Sequence, residues 1–228
     1  MIGVIRRPNI AVVPFDPDNI FDPTTHVATE TDFIKLLEHG VYDSKYIGYK
    51  VQLSNSVDYN NGLWVIADVD HDSTNTGQSN CYDLISEDCF HKAAFSNSNN
   101  SWRTSTARTW LNNTFFPGFS TDFKTHILNI KYKSSTKWYT DDRIIIPSKV
   151  EIKGGNSSAD NEGVAYPIFT GFAGTDSNTS RIKSNVIWWT RSRNTGNSSS
   201  VWRVLADGSI NSYSYSQSNR LAPLLRVF

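Results

Sequence analysis

Three carboxylates at alternate positions, Asp68, Asp70 and Asp72, with His71 among them, are the first place to look for chemistry in this chain. Asp-x-Asp-x-Asp opens calcium loops of the EF-hand type, which also need Gly at the sixth position and a bidentate Glu at the twelfth. Those positions hold Ser73 and Ser79, so the run reads as a solvated, turn-forming strand end. His91 and His126 stand alone, no histidine pair has i, i+4 spacing, and no H-E-x-x-H occurs. Cys81 and Cys89 lack both a C-x-x-C spacing and the basic surroundings that favour a thiolate. Two cysteines make no disulfide framework for a chain this long, and they either bridge or lie buried as free thiols. G-x-S-x-G, Walker and G-x-G-x-x-G loops are missing. The expectation is a protein with no catalytic residues, metal or cofactor. A cleft lined by Asp68, Asp70, His71 and Asp72 is where an enzyme would have to show itself.

A different chemistry is written between Ser192 and Arg220, where about half the residues are Ser, Asn or Tyr. Tyrosine supplies large, rigid, amphipathic contact area at low entropic cost, and Ser and Asn supply adaptable hydrogen bonds; paratopes use this mixture. Tyr213 and Tyr215 alternate with Ser212, Ser214 and Ser216, so on a strand both rings project from one face. The candidate ligand contacts are Arg193, Asn194, Asn197, Trp202, Asn211, Tyr213, Tyr215, Gln217 and Asn219. The plainer reading is a soluble loop and edge strand, although such edges usually carry Lys, Glu or Thr.

Lys+Arg and Asp+Glu are both 22, so general nucleic-acid affinity is not expected. The balance is uneven along the chain. From Asp176 onward Arg181, Lys183, Arg191, Arg193, Arg203, Arg220 and Arg226 face only Asp176 and Asp207, which tilts a partner of that end toward anionic or sugar-like chemistry. No signal-type opening and no membrane-length apolar run occurs. Synthesis in the producer's cytosol is expected, with virus assembly as one exit route.

The elements that must position these residues can be read in order. Residues 1–28 carry Pro8, Pro14, Pro17 and Pro23 among apolar groups and read as an extended N-terminal arm docked on a neighbouring subunit. Residues 29–228 form the domain. Thr29 caps a helix with Phe33, Leu36 and Leu37 on one face and Gly40 at its end. Tyr49–Leu53 alternates as a half-buried strand, Leu63–Ala67 is a central strand, and Leu84–Ser86 is a shorter one. Thr104 or Ser105 caps a helix presenting Ala107, Trp110, Leu111 and Phe115, stopped by Pro117-Gly118; Ser120 caps another. Arg143–Pro147 is a β-branched strand, and Asp207-Gly208 turns a hairpin between Val201–Ala206 and Ser209–Tyr215. Of Trp188 and Trp189, one belongs to the core and the other is open between core and surface. Early helices followed by late strands predict an α+β fold, mainly antiparallel with two or three helices.

Four runs appear in the order of one family: Leu63–Asp72, Arg108–Asn113, Trp188–Ser192 and Arg220–Leu225. Over about residues 30–228 the chain resembles a domain-of-unknown-function family of gut Firmicutes and their phages, with signatures W-x-V, R-x-W-L-N, W-W-L-R-S and a terminal R-P-A-L. Here Arg220 and Pro223 are not adjacent, a departure from that last signature. The resemblance implies a C-type-lectin-like fold, related in shape to the variable proteins of diversity-generating retroelements. It also implies a phage virion protein, a tail or head appendage or decoration, made in the host cytoplasm and displaying residues 192–220 to a host glycan or protein. Residues 1–25 would hold it to other virion proteins, and a homo-oligomer, a trimer for preference, would supply avidity. The alternatives are a purely structural virion assembly protein and a bacterial surface binding module. The E-P-N, Q-P-D and W-N-D triplets of calcium-dependent lectins are missing, and both cysteines precede residue 90, unlike the C-terminal cysteines of formylglycine-generating enzymes.

Overall fold

Local signals act where the sequence puts them. A computed structural model of the chain describes residues 15–57, 62–134, 137–154, 162–170 and 179–228. Strand β1 (Val27–Thr29) runs into helix α1 (Glu30–Glu38), where Thr29 Oγ1 accepts the Asp32 amide at 3.1 Å. Phe33, Leu36 and Leu37 are its buried residues. Gly40 leaves it at φ +65°, a left-handed conformation that glycine adopts without steric cost. Then follow β2 (Lys50–Gln52), β3 (Leu63–Val69), the short α2 (Ser73–Thr76), β4 (Tyr82–Ser86) and β5 (Phe90–Ala94).

Ser105 caps α3 (Thr106–Trp110) by accepting the Arg108 amide at 3.0 Å. The helix expected to run regularly to Phe115 instead widens into a π turn over Leu111–Phe115 and tightens into a 3-10 turn over Phe116–Gly118. Asn112 accounts for part of this: its Nδ2 donates to the carbonyls of Arg108 and Ile144, and its Oδ1 accepts the amides of Arg143 and Ile144. A widened turn lets one side chain serve its own helix and a neighbouring strand together. Next come α4 (Thr121–His126), capped by Ser120, then β6 (Ile130–Ser134), β7 (Lys137–Asp142) and β8 (Ile144–Ile145). Helices α5 (Lys149–Lys153) and α6 (Pro167–Thr170) precede β9 (Trp188–Arg193), β10 (Ser200–Val204), β11 (Ile210–Ser214), β12 (Ser218–Leu221) and β13 (Leu224–Val227).

The described strands build a six-stranded sheet of order β1-β2-β3-β4-β13-β8, a five-stranded sheet of order β11-β10-β9-β12-β5, and the β6-β7 ribbon. Pairing is antiparallel except for β1 with β2 and a single β12–β9 pair, Arg220 with Trp188. The fold is therefore α+β, mostly antiparallel, with few helices. The chain leaves one sheet and enters the other at Ala222-Pro223, between β12 and β13. Proline has no N–H to offer a ladder, and the Pro223 carbonyl still accepts the Ser86 amide at 2.9 Å. Trp188 and Trp189 are both fully buried, because each face of β9 is covered: Trp188 packs on Phe169 and Trp189 on Phe95. Trp188 Nε1 donates to the Arg181 carbonyl and Trp189 Nε1 to the Ala93 carbonyl, each at 3.2 Å.

Of the arm expected over residues 1–28, residues 1–14 lie outside the described residues. The remainder packs on the domain. Phe15 stacks on His39 at 3.8 Å, Phe21 is buried against Tyr46 and Tyr49, and β1 pairs with β2.

The adjacent inner strands β4 and β13 are tied by charge as well as by backbone. Asp83 and Arg226 are register partners, joined by Nε–Oδ1 at 2.6 Å and Nη2–Oδ2 at 2.8 Å. Tyr166 Oη donates to Asp83 at 2.7 Å, and Arg226 reaches Gln78 Oε1 and the His71 carbonyl. Burial alone would raise the Asp83 carboxyl, but Arg226 holds it below its ordinary value. A carboxyl depressed in the folded state contributes stability above its unfolded pKa of about 3.9 and loses it as pH falls through the folded value. Asp83→Ala, which strands a buried guanidinium, should cost about 3–5 kcal/mol at neutral pH. Urea unfolding across a pH series should show that cost shrinking in acid; an unchanged midpoint at pH 7 would mean the pair carries no stability.

Candidate functional site

The polar segment begins at a buried anchor. Arg191 on β9 is 1% exposed, and its guanidinium meets both Glu151 oxygens at 2.5 Å. It also donates to the carbonyls of Ile146 and Glu162, each at 3.0 Å. Glu151 is in turn fixed by a capping box at the start of α5, with its Oε2 accepting the Ser148 amide at 2.9 Å. Burial disfavours the charge on Arg191, but Glu151 more than offsets this and raises its pKa. Ser192 donates from Oγ to Glu162 and accepts the Lys149 amide. One residue later the chain is at the surface, at Arg193.

The turn that follows is locked by its own side chains. Asn194 Oδ1 accepts the Gly196 amide and Asn197 Oδ1 the Ser199 amide, each at 2.9 Å, short asparagine turns that replace backbone pairing. The Asn194 amide donates to the Ser200 carbonyl at 3.0 Å, closing the loop. Beyond it β10 and β11 form the expected hairpin, with Gly208 at φ +79° and Asp207 Oδ1 accepting the Ser209 amide.

Two bonds join the turn to the hairpin: Asn194 Nδ2 donates to Ser212 Oγ at 2.9 Å, and the Tyr215 amide to the Ser199 carbonyl at 3.1 Å. A third segment, 97–101, completes the surface. Tyr215 Oη donates to the Ser98 carbonyl at 3.2 Å, while Asn100 Nδ2 donates to the carbonyls of Asn197 at 3.3 Å and Ser200 at 3.2 Å. The sequence of 97–101, Asn-Ser-Asn-Asn-Ser, carries no sign of this role. Its partners lie about a hundred positions away, beyond the reach of any local signal.

The candidate contacts divide. Tyr213 is 45% exposed, with the Arg203 guanidinium 3.9 Å from its ring centre, and Arg203 Nε donates to Asn211 Oδ1 at 2.9 Å. These three form a fixed platform on the edge hairpin. Strand alternation puts Trp202, paired with Ser212, on the opposite face. It is half-buried, with Lys149 Nζ 3.8 Å from its ring centre. Tyr215 lies past the end of β11 and is half-buried, while Gln217 is exposed in the next turn. Asn219 does not contribute: it sits in β12 between β9 and β5, 7% exposed. Beside the turn opens a cleft of about 280 Å³ bordered by Asn100, Arg103, Lys137, Tyr139 and Arg193. Of these only Arg193 was singled out from sequence.

The acidic run is occupied otherwise. Asp68 Oδ2 bonds His71 Nδ1 at 2.8 Å, Asp70 Oδ1 accepts the Cys81 amide at 3.0 Å, and Asp72 Oδ1 accepts Asn75 Nδ2 at 2.6 Å. His71 is buried and stacked on Tyr166 at 3.6 Å, and the space beside them is about 10 Å³, too small for a substrate. Among the described residues no group of three or more His, Cys, Asp or Glu could hold a metal ion. Cys81 and Cys89 are buried free thiols, and burial pushes each up to about 12, which disfavours a nucleophilic thiolate.

Residues 82–227, from β4 to the end of β13, match the family model described as Domain of unknown function (DUF6273). The chain belongs to that family. No curated protein and no solved structure matches it. The stretch shared with DUF6273 contains the Asp83–Arg226 and Glu151–Arg191 pairs and all three segments of the polar surface. Among the described residues no helix is long and apolar enough to cross a membrane.

If the anchor positions the turn, Arg191→Met should destabilise by about 3–5 kcal/mol, because Glu151 is left buried without its counter-charge. The double variant Arg191→Met, Glu151→Met should recover much of that loss. A denaturation cycle over the four proteins checks both; additive costs would show that the two side chains are not coupled.

Proposed function

We propose that this DUF6273 protein is a binding module that works without catalysis, and that its ligand meets the surface built from 97–101, 193–200 and 211–217. The observation that carries this reading is the union of two neighbouring Ser/Asn/Tyr-rich segments with a third, about a hundred positions away, into one hydrogen-bonded surface above a buried ionic anchor. Ordering these segments before the ligand arrives removes an entropic cost from binding, and the Tyr213–Arg203–Asn211 platform offers a rigid aromatic and cationic contact. Against catalysis stand the buried carboxylates Asp83, Asp142 and Glu151, each engaged by an arginine, and the high thiol pKa values.

The finer reading follows the sequence resemblance. The domain is C-type-lectin-like, it is carried on a phage virion, its N-terminal residues hold it to other virion proteins, and its target is a host glycan or protein. A homo-oligomer, a trimer for preference, would add avidity to weak single sites. The exposed Tyr213 also suits a second reading, an assembly contact between virion subunits.

The test uses Tyr213→Ala, an exposed position whose loss should leave the thermal midpoint nearly unchanged. Binding of the full chain to envelope preparations from the bacterium that hosts or encodes it should fall by at least about tenfold, as for an aromatic hot spot. Undiminished envelope binding with loss of the oligomer would favour the assembly reading. If neither changes, the surface is misassigned.

A further inference from the structure

We propose that the cleft between the β6-β7 ribbon, residues 100–103 and the end of β9 is a subsite for one anionic, polyhydroxylated unit, such as an acidic sugar or a polyol phosphate. This rests on the binding reading above and gives it a ligand class. At about 280 Å³ the cleft falls just below the usual range of drug-sized ligand sites, roughly 300–1,000 Å³, which suits a single small unit.

Its charge is one-sided. Arg103, Lys137, Arg191 and Arg193 converge on it, and none of the described residues that line it is a carboxylate. The compensating acids are outside the lining: Asp141 grips Arg103 with two contacts of 2.6 Å, and Glu151 grips Arg191. Those two guanidiniums are held in place with their charge balanced from behind, so that the positive end of each pair faces the cleft. Lys137 and Arg193 are exposed at the rim and have the length to fold over a bound anion. The remaining wall suits a hydroxylated ligand. Ser101 and Ser134 present hydroxyls, and Tyr139, with Arg103 4.3 Å from its ring centre, presents an aromatic surface. Asn100 belongs to the cleft wall and also holds the turn through Asn197 and Ser200, so the cleft and the polar surface share one support. Nucleic acid fits less well, since strand binding uses an extended basic track with successive stacking rings, and this cleft admits one unit.

The probes are glucuronate for a carboxylate source and glycerol 1-phosphate for a phosphate source, with glucose, glycerol and a short oligo-dT beside them. Calorimetric titration of the full chain should give a Kd of about 1 mM or tighter for at least one anion, weakening as salt rises. Glucose and glycerol should bind at least tenfold more weakly. Lys137→Ala with Arg193→Ala, both exposed positions, should weaken the anion at least tenfold with the thermal midpoint retained. The proposal is overturned if glucose matches glucuronate, if the double variant binds the anion as well as the parent does, or if only oligo-dT binds. Should no anion bind while Tyr213→Ala still abolishes envelope binding, the subsite fails and the binding surface stands. Should the parent bind neither anion nor envelope, both fail.

Discussion

A guanidinium taken out of water loses several kcal/mol of hydration, which only close carboxylate and carbonyl partners return. Arg191 therefore dictates much around it. Glu151 must be presented by the first turn of α5, the backbone at Ile146 and Glu162 must point carbonyls inward, and β9 must arrive in one register. The same demand recurs at Arg226 with Asp83 and at Arg108 with Asp142, whose Oδ2 also receives Trp102 Nε1 and Tyr132 Oη. Replacing such pairs by apolar residues need not cost stability; what they supply here is position. The Arg191 and Arg108 pairs fix elements that border the polar surface or the cleft, while the Arg226 pair ties β4 to β13 in the other sheet.

That positioning explains how a surface of Ser, Asn and Tyr can be shaped rather than loose. Segments 97–101, 193–200 and 211–217 have little apolar content of their own. Their geometry is inherited from Trp188, Trp189 and Arg191 beneath, and then closed by asparagine turns and cross-segment bonds. A sheet edge with a platform of Arg203, Asn211 and Tyr213 is thereby held ready, next to a cationic cleft whose walls come from the 97–103 region and β7.

Much of the scaffold was legible because its signals are local. Thr29, Ser105 and Ser120 cap helices by bonding amides three residues on, and Asp207-Gly208 turns its hairpin with Asp207 Oδ1 on the Ser209 amide and Gly208 at positive φ. The site was half legible. Composition flagged 193–200 and 211–219, but period-two alternation cannot tell an edge strand from an inner one, so Asn219 was credited with exposure and Trp188 or Trp189 was left open. The excess of basic residues near the C-terminus misled in another way. Arg181, Lys183, Arg191 and Arg226 are all buried, so the surface cations are fewer than the count suggests. The cleft was invisible, since Arg103, Lys137 and Arg193 meet only through tertiary packing.

The account stands or falls on where a ligand touches. Hydrogen exchange of the full chain, with and without solubilised envelope glycan, should show new protection in 97–101, 193–200 and 211–217, with β3, β4 and β13 unchanged. Protection centred on Asp68–Asp72, or binding that leaves those three segments exchanging as before, would contradict it.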